Sequence, residues 1–337
     1  MLFCFNNAIM EYINIHNFQE SNGELMIKLY LAIPCYNEEE VLMDTAEKLK
    51  LKYQTLMENN QISKDSKIVF IDDGSRDRTW EIIQDLNKRN PIFRGIKLSR
   101  NRGHQNALLC GLMTLKDEAD AVISIDADLQ DDINAFDKMI KSFESGYDIV
   151  YGVRSKRATD TFFKRFTAES FYKILNKMGA NVIFNHADYR LMSKRALDAF
   201  AEYKETNLFL RGMVPLIGYK SDVVQYERSE RLAGESKYPL KKMLALAWEG
   251  ITSLSTQPIR FITKLGVFNM LLGCALLIYS IVRLFIGQSA ISWVILSAVV
   301  GLCGVSLVSL GVVGEYIGKI YLETKHRPRY IVEKYIK

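Results

Sequence analysis

The feature that most constrains this chain is a regular alternation of short apolar, β-branched segments with amphipathic ones between Ile27 and Tyr151. Ile27–Ile33, Lys67–Ile71, Arg94–Leu98, Ala121–Ile125 and Asp148–Tyr151 read as strands, and their near-continuous hydrophobicity is that of strands buried on both faces. After the first strand, Leu42, Ala46, Leu49, Tyr53 and Leu56 recur at helical spacing, with Asn37 as the expected N-cap and Glu40 as its capping-box partner. Thr79–Arg89, His104–Lys116 and Ala135–Ser145 read as further helices. This β–α repetition specifies an α/β fold with a mostly parallel, helix-covered sheet.

Ligands of such sheets bind beyond the carboxyl ends of the strands, and here each strand ends in polar residues. The first runs into Pro34–Glu39, the second into Asp72-Asp73-Gly74-Ser75, the third into Ser99–His104, and the fourth into Asp126-Ala-Asp128-Leu-Gln130-Asp131-Asp132. Alone, the last could be an acidic loop capping the next helix. Four polar strand ends on one sheet edge favour a site. Asp126, Asp128 and Gln130 alternate along the chain and offer hard oxygen ligands suited to Mg²⁺ or Mn²⁺ carrying a phosphate. No G-x-G-x-x-G follows the first strand and no P-loop occurs, so neither a dinucleotide enzyme nor a P-loop ATPase is supported.

The net charge of +5 is too small to point to nucleic acid, and no zinc-finger, RRM or arginine-rich pattern is present, so no nucleic-acid partner is expected. The five cysteines are scattered without a C-x-x-C pair, as in a reducing compartment. Residues 1–25 lack a basic n-region and a long apolar stretch, and read as an appendage to the fold. Two long apolar segments, about 262–286 and 291–313, are joined by Gly287-Gln288-Ser289. At 1.5 Å per residue each covers roughly 35 Å, enough to span a bilayer, so 261–315 is expected to form a two-helix transmembrane hairpin. Basic residues flank both ends, which puts both flanks on the cytoplasmic side, including a basic tail over 316–337. Within 239–260, Leu240, Met243, Leu244, Ala247, Trp248 and Ile251 share one helical face beside Lys241 and Lys242, the pattern of an interfacial helix.

The motifs IPCYNEE, IDDGSRDRT, LSRNRGHQNALLCGL, IDADLQDD, YGVRSKR, ADYRLMSKRA and RLAGESKYPL occur in this order before the two apolar segments. Together they resemble the polyprenyl-phosphate glycosyltransferases, membrane members of glycosyltransferase family 2 that include bactoprenol glucosyltransferase-like enzymes and are related to dolichol-phosphate mannose synthase. The resemblance runs from about Met26 to the end. It implies a glycosyltransferase-A type, Rossmann-like catalytic domain over 26–238, facing the cytoplasm and anchored as a multi-pass protein in a bacterial inner membrane. It further implies a metal-dependent hexosyltransferase that moves a sugar, glucose from UDP-glucose, to polyprenyl (undecaprenyl) phosphate with inversion. A homo-oligomer is the expected assembly.

By the same resemblance, Pro34, Tyr36, Asn37, Glu38 and Asp73 hold the nucleoside, with Gly103 and His104 also on the nucleotide-sugar side. Asp126 lies toward the donor and Asp128 with Gln130 ligates the metal; Asp131 and Asp132, read from their own place before the next helix, are expected to cap it. Arg154 and Arg165 are the expected lipid-phosphate ligands, Asp188 and Arg190 line the sugar or acceptor cleft, and Arg231 and Lys237 belong to a loop that closes over the diphosphate. Ala187 stands where many relatives carry Gly, which loosens the fit at that motif. UDP-N-acetylglucosamine and GDP-mannose remain alternative donors. A processive polysaccharide synthase lacks support because no Q-x-x-R-W occurs; a metal-dependent phosphatase and a silent membrane scaffold are the alternatives from other classes.

Overall fold

The computed structural model describes residues 26–154, 186–227 and 291–337. Eight strands form one sheet: β1 (Leu29–Cys35), β2 (Lys67–Asp72), β3 (Phe93–Leu98), β4 (Ala121–Ser124), β5 (Ile149–Arg154), β6 (His186–Ser193), β7 (Ser221–Tyr226) and β8 (Val332–Ile336). Their order is β7-β5-β6-β4-β1-β2-β3-β8. Four of the seven pairings are parallel, β1 with β2 and β4, β2 with β3, and β5 with β7. The sheet is therefore mixed but mostly parallel, and its helices are α1 (Leu42–Glu58), α2 (Thr79–Arg89), α3 (His104–Leu115), α4 (Ala135–Glu144), α5 (Lys194–Ala201), α6 (Leu210–Met213) and α7 (Ile291–Thr324).

The sequence places helices on both faces because every central strand is apolar on both sides. Leu31, Ile33, Phe70 and Ile123 pack with Leu49, Tyr53, Ile83, Phe136 and Met139 from α1, α2 and α4. Alternate residues of the same strands, Ala32, Val69, Ile71 and Val122, pack with Leu108, Leu112, Leu197 and Phe200 from α3 and α5. Each buried Leu, Ile or Phe contributes about 1.5–3 kcal/mol to this three-layer core. The chain winds from β1 through β2 to β3 and then returns to place β4 on the other side of β1. That reversal makes the carboxyl ends of β1 and β4 a topological switch point, the place where ligands of such sheets bind.

Several local expectations are corrected. Helix α1 starts at Leu42 with Val41 as N-cap, and Asn37 instead takes a left-handed conformation with φ 53°. ADYRLMS forms most of the antiparallel strand β6, inserted between β4 and β5. The expected tail over 316–337 is not a simple tail: α7 continues to Thr324, and Val332–Ile336 returns to the sheet as an edge strand antiparallel to β3. Arg94 fastens that edge by donating to Glu118 Oε2 at 2.6 Å and to the Tyr335 hydroxyl at 3.3 Å.

The expected hairpin is not supported by the described residues, among which no helix is long and apolar enough to cross a membrane. Its first segment, 262–286, lies outside them, as do the 1–25 appendage and the interfacial segment 239–260. Residues 291–313 form the first part of α7, whose 34 residues extend about 51 Å.

Candidate active site

The loops after β1 and β2 are built against each other. Ser75 Oγ accepts the Asn37 N–H at 3.0 Å, Asn37 Oδ1 accepts the Arg76 N–H at 2.9 Å, and Thr79 Oγ1 accepts the Glu38 N–H at 2.9 Å. Asn tolerates the left-handed turn that makes this possible. Asn37 and Glu38 thus lock two loops together, Pro34 is buried, and Tyr36 is the exposed ring at this strand end.

Asp73 is buried and spends both carboxylate oxygens on main chain, accepting the Arg102 N–H at 2.7 Å and the Gly103 N–H at 2.8 Å. Burial raises its pKa, and those two hydrogen bonds oppose the shift. In this structure it shapes the loop that starts α3. Asp72 differs: Oδ1 accepts the Ser75 N–H at 3.0 Å, while Oδ2 is buried without a hydrogen-bond partner among the described residues. Burial raises its pKa too. The sequence, with two adjacent Asp residues, does not tell which of them closes the loop before α3; the structure gives that to Asp73.

At the switch point β4 ends in the acidic loop. Leu129 has φ 43°, and Gln130 donates its N–H to Asp128 Oδ1 at 3.3 Å, so the loop folds back on itself between the two. Asp126 is half-exposed, and His104 Nε2 stands 3.6 Å from its Oδ1 and 3.7 Å from Asp188 Oδ2. His104 opens α3, which follows the loop held by Asp73. Loss of solvent raises the pKa of Asp126, with His104 opposing and Asp131, Asp188 and Asp128 adding to the rise.

Asp188 is the fixed negative centre behind this loop. Arg190 Nη2 donates to its Oδ1 at 2.6 Å and Arg211 Nη2 to its Oδ2 at 3.1 Å. Burial alone would raise the Asp188 pKa, but Arg211, then Arg190 and His104, hold the carboxyl well below the usual carboxylate range. Arg190 itself is buried and also reaches the Leu210 carbonyl at 3.4 Å, so it supports the site from behind the cleft it was expected to line. Arg211 is a site residue that sequence reasoning missed. It sits on a four-residue helix with no periodic pattern to single it out.

On the other flank, the parallel register of β5 and β7 sets Arg154 beside Tyr226. Arg154 Nε donates to the Tyr226 hydroxyl at 3.2 Å and its Nη2 to Asp131 Oδ1 at 3.2 Å, while Tyr226 donates to the same Oδ1 at 2.5 Å. Asp131 is therefore not a helix cap. Asp132 does not cap the helix either: it forms the turn before α4, accepting the Asn134 N–H at 2.9 Å, and Asn134 is the N-cap residue. Arg165, Arg231 and Lys237 lie outside the described residues.

The donor set fits a hard divalent cation, since Asp126, Asp128 and Gln130 supply only oxygen ligands of the kind Mg²⁺ and Mn²⁺ take. Among the described residues no group of three His, Cys, Asp or Glu side chains is arranged to hold a metal. A cation held by one or two protein carboxylates plus substrate phosphates and waters needs no such group.

A model of the family described as "Glycosyl transferase family 2" matches residues 30–200. The chain is 49% identical over 306 residues to the Bacillus subtilis uncharacterized glycosyltransferase YkoT, covering 90% of this chain and 91% of that one. It is 40% identical over 314 residues to the bactoprenol glucosyl transferase of Shigella phage SfX, covering 91% and 99% respectively. Among solved structures, glucosyl-3-phosphoglycerate synthase from Mycobacterium tuberculosis aligns at 15% identity with a TM-score of 0.45, covering 68% of this chain and 79% of that one. The extent of the family match and of these two sequence relationships leads to one conclusion: the chain belongs to glycosyl transferase family 2.

Proposed function

We propose that this protein transfers a hexose, glucose from UDP-glucose, to polyprenyl phosphate with inversion, at the cytoplasmic face of a bacterial membrane. The observation that carries the reading is the joining of a hard-ligand loop to a guanidinium by one carboxylate: Asp131 belongs to the loop of Asp128 and Gln130 and holds Arg154. The reaction brings together two anions, a nucleotide diphosphate and a lipid phosphate, and this arrangement offers a place for each.

In this reading Asp128 and Gln130 hold Mg²⁺ or Mn²⁺, which when bound neutralises charge developing on the departing diphosphate. Tyr36 and the loops after β1 and β2 receive the nucleoside. Asp126 and His104 lie toward the sugar, with Asp188 fixing the position of His104 from behind. The acceptor needs no strong base, since a phosphomonoester has a second pKa of about 6 and is already a nucleophile at neutral pH. Arg154, with Arg165, orients it by charge-assisted hydrogen bonds. Arg231 and Lys237 close over the diphosphate and exclude water.

Membrane attachment through 262–286 and 291–313 rests on their apolar sequence. The return of β8 to the catalytic sheet supports an even number of crossings, because the chain must finish on the side where β1–β7 lie. GDP-mannose and UDP-N-acetylglucosamine are the alternative donors. Labelled UDP-glucose, UDP-N-acetylglucosamine and GDP-mannose, incubated with the protein in vesicles containing polyprenyl phosphate and Mg²⁺ or Mn²⁺, test the reading. Label from UDP-glucose is expected in the lipid phase, lost with a chelator and in Asp128→Ala. Release of inorganic phosphate without lipid labelling would replace this reading with that of a phosphatase.

A further inference from the structure

Asp131 is 2% exposed, and nothing in the local chain requires a carboxylate there. Helix α4 starts three residues after Asp132, which makes the turn-forming hydrogen bond by itself. Burying a carboxylate costs several kcal/mol unless charged and hydrogen-bonding partners compensate. Both partners of Asp131 come from far along the chain, Arg154 from the end of β5 and Tyr226 from the end of β7. The three side chains close a ring: Tyr226 accepts from Arg154 Nε and donates to Asp131 Oδ1, and Arg154 Nη2 donates to that same oxygen.

A second tyrosine braces the ring. Tyr189 packs edge-on against Tyr226 with centroids 5.1 Å apart and donates its hydroxyl to the Asp132 carbonyl at 2.9 Å. The loop end is thus gripped at the Asp131 carboxylate and the Asp132 main chain, by strands on the acceptor flank. Although burial opposes it, Asp131 and then Tyr226 raise the pKa of Arg154, so the guanidinium is fixed in place and in charge.

We propose that Asp131 is a positioning residue for the acceptor phosphate, holding the Arg154 guanidinium at a set distance from the loop that carries Asp128 and Gln130. The inference rests on the reading of Arg154 as an acceptor-phosphate ligand. Asp131 acts through Arg154 and touches neither substrate, so its effect is confined to what Arg154 recognises. Donor binding runs through the side chains of Asp128 and Gln130 on the same loop, so the donor KM is the control for a general disturbance of that loop.

Initial rates of label transfer to polyprenyl phosphate, measured with the full chain in vesicles, test this with Asp131→Asn, Arg154→Ala, the double variant and Tyr226→Phe. Asp131→Asn is expected to raise the acceptor KM about ten-fold, the worth of one hydrogen bond to a charged group, with the donor KM within about two-fold of wild type. In the Arg154→Ala background the same change should add little, since coupled residues are non-additive. A fully additive double variant, or a fall in kcat with both KM values unchanged, would overturn the proposal. Should Asp131→Asn fail to fold, Tyr226→Phe decides: a smaller rise in acceptor KM supports the ring, and no rise refutes it. If wild type labels no lipid, or Arg154→Ala leaves the acceptor KM unchanged, the failure belongs to the proposed function, and the inference falls with it.

Discussion

Arg211 Nη2 lies 3.1 Å from Asp188 Oδ2, an ion pair that fastens the short helix α6 to the central strand β6. Arg190 donates to Oδ1 at 2.6 Å and Arg211 Nε also reaches that oxygen at 3.4 Å, so two guanidinium groups share the carboxylate. Arg211→Ala is expected to cost about 1–2 kcal/mol, a charge-assisted hydrogen bond discounted for the partial exposure of Arg211. Thermal unfolding of the purified protein measures it. Arg211→Lys should recover only part of the loss, because an ammonium cannot reproduce the contacts of Nε and Nη2 together.

The same ion pairs give a pH dependence. The folded-state pKa of Asp188 is depressed, so its stabilisation is fully present above the unfolded value of about 3.9 and is lost as pH falls through the folded value. Because His104 also faces Asp188 and an imidazole gains charge between about pH 8 and 5, the test lies below that window: the stability difference between wild type and Asp188→Asn should shrink below about pH 4. A difference that grew as pH fell below about 4 would contradict the assignment.

Gly74 is held at φ 66°, and a Cβ there would stand 2.6 Å from the Arg100 carbonyl carbon and 2.7 Å from the Asn101 nitrogen. Gly74→Ala should cost about 1–3 kcal/mol and push the loop after β3 away from Asp73. Gly146 has φ 85° with open space around it, so Gly146→Ala carries only the conformational penalty, about 1 kcal/mol. Comparing the two melting temperatures separates collision from backbone strain. A raised donor KM is expected only for Gly74→Ala.

Glu323, near the end of α7, accepts the N–H groups of Thr206 and Asn207 at 2.8 Å each and Asn207 Nδ2 at 2.6 Å. Burial would raise its pKa, but these hydrogen bonds lower it. Arg329 adds donations to the Tyr203 and Glu205 carbonyls. Glu323→Gln is expected to weaken this joint by about 1–2 kcal/mol. Amide hydrogen exchange at Thr206 and Asn207 should then accelerate about ten-fold, while the amides of β1 keep their wild-type protection.

The sequence by itself determined the α/β class, β1 to β5 with their covering helices, and the sheet edge on which the site lies. Those properties are written locally, in β-branched runs, in the helical stripe of Leu42, Ala46, Leu49 and Tyr53, and in the polar residue that must follow each buried strand. Asp126, Asp128 and Gln130 could be proposed as oxygen ligands for that reason, their alternation being a property of neighbours in the chain. Only the tertiary structure decided which polar groups are spent on holding loops. Asp72 and Asp73 are identical neighbours in sequence, yet Asp73 closes the loop before α3 with both oxygens, while one Asp72 oxygen has no hydrogen-bond partner among the described residues. Arg211 is positioned by a pairing 23 residues away, Asp131 by partners 23 and 95 residues away, and β8 by a strand that precedes it by more than two hundred residues. The physical reason is that hydrogen-bond satisfaction and burial of charge are settled by non-local packing, which no short window of sequence contains.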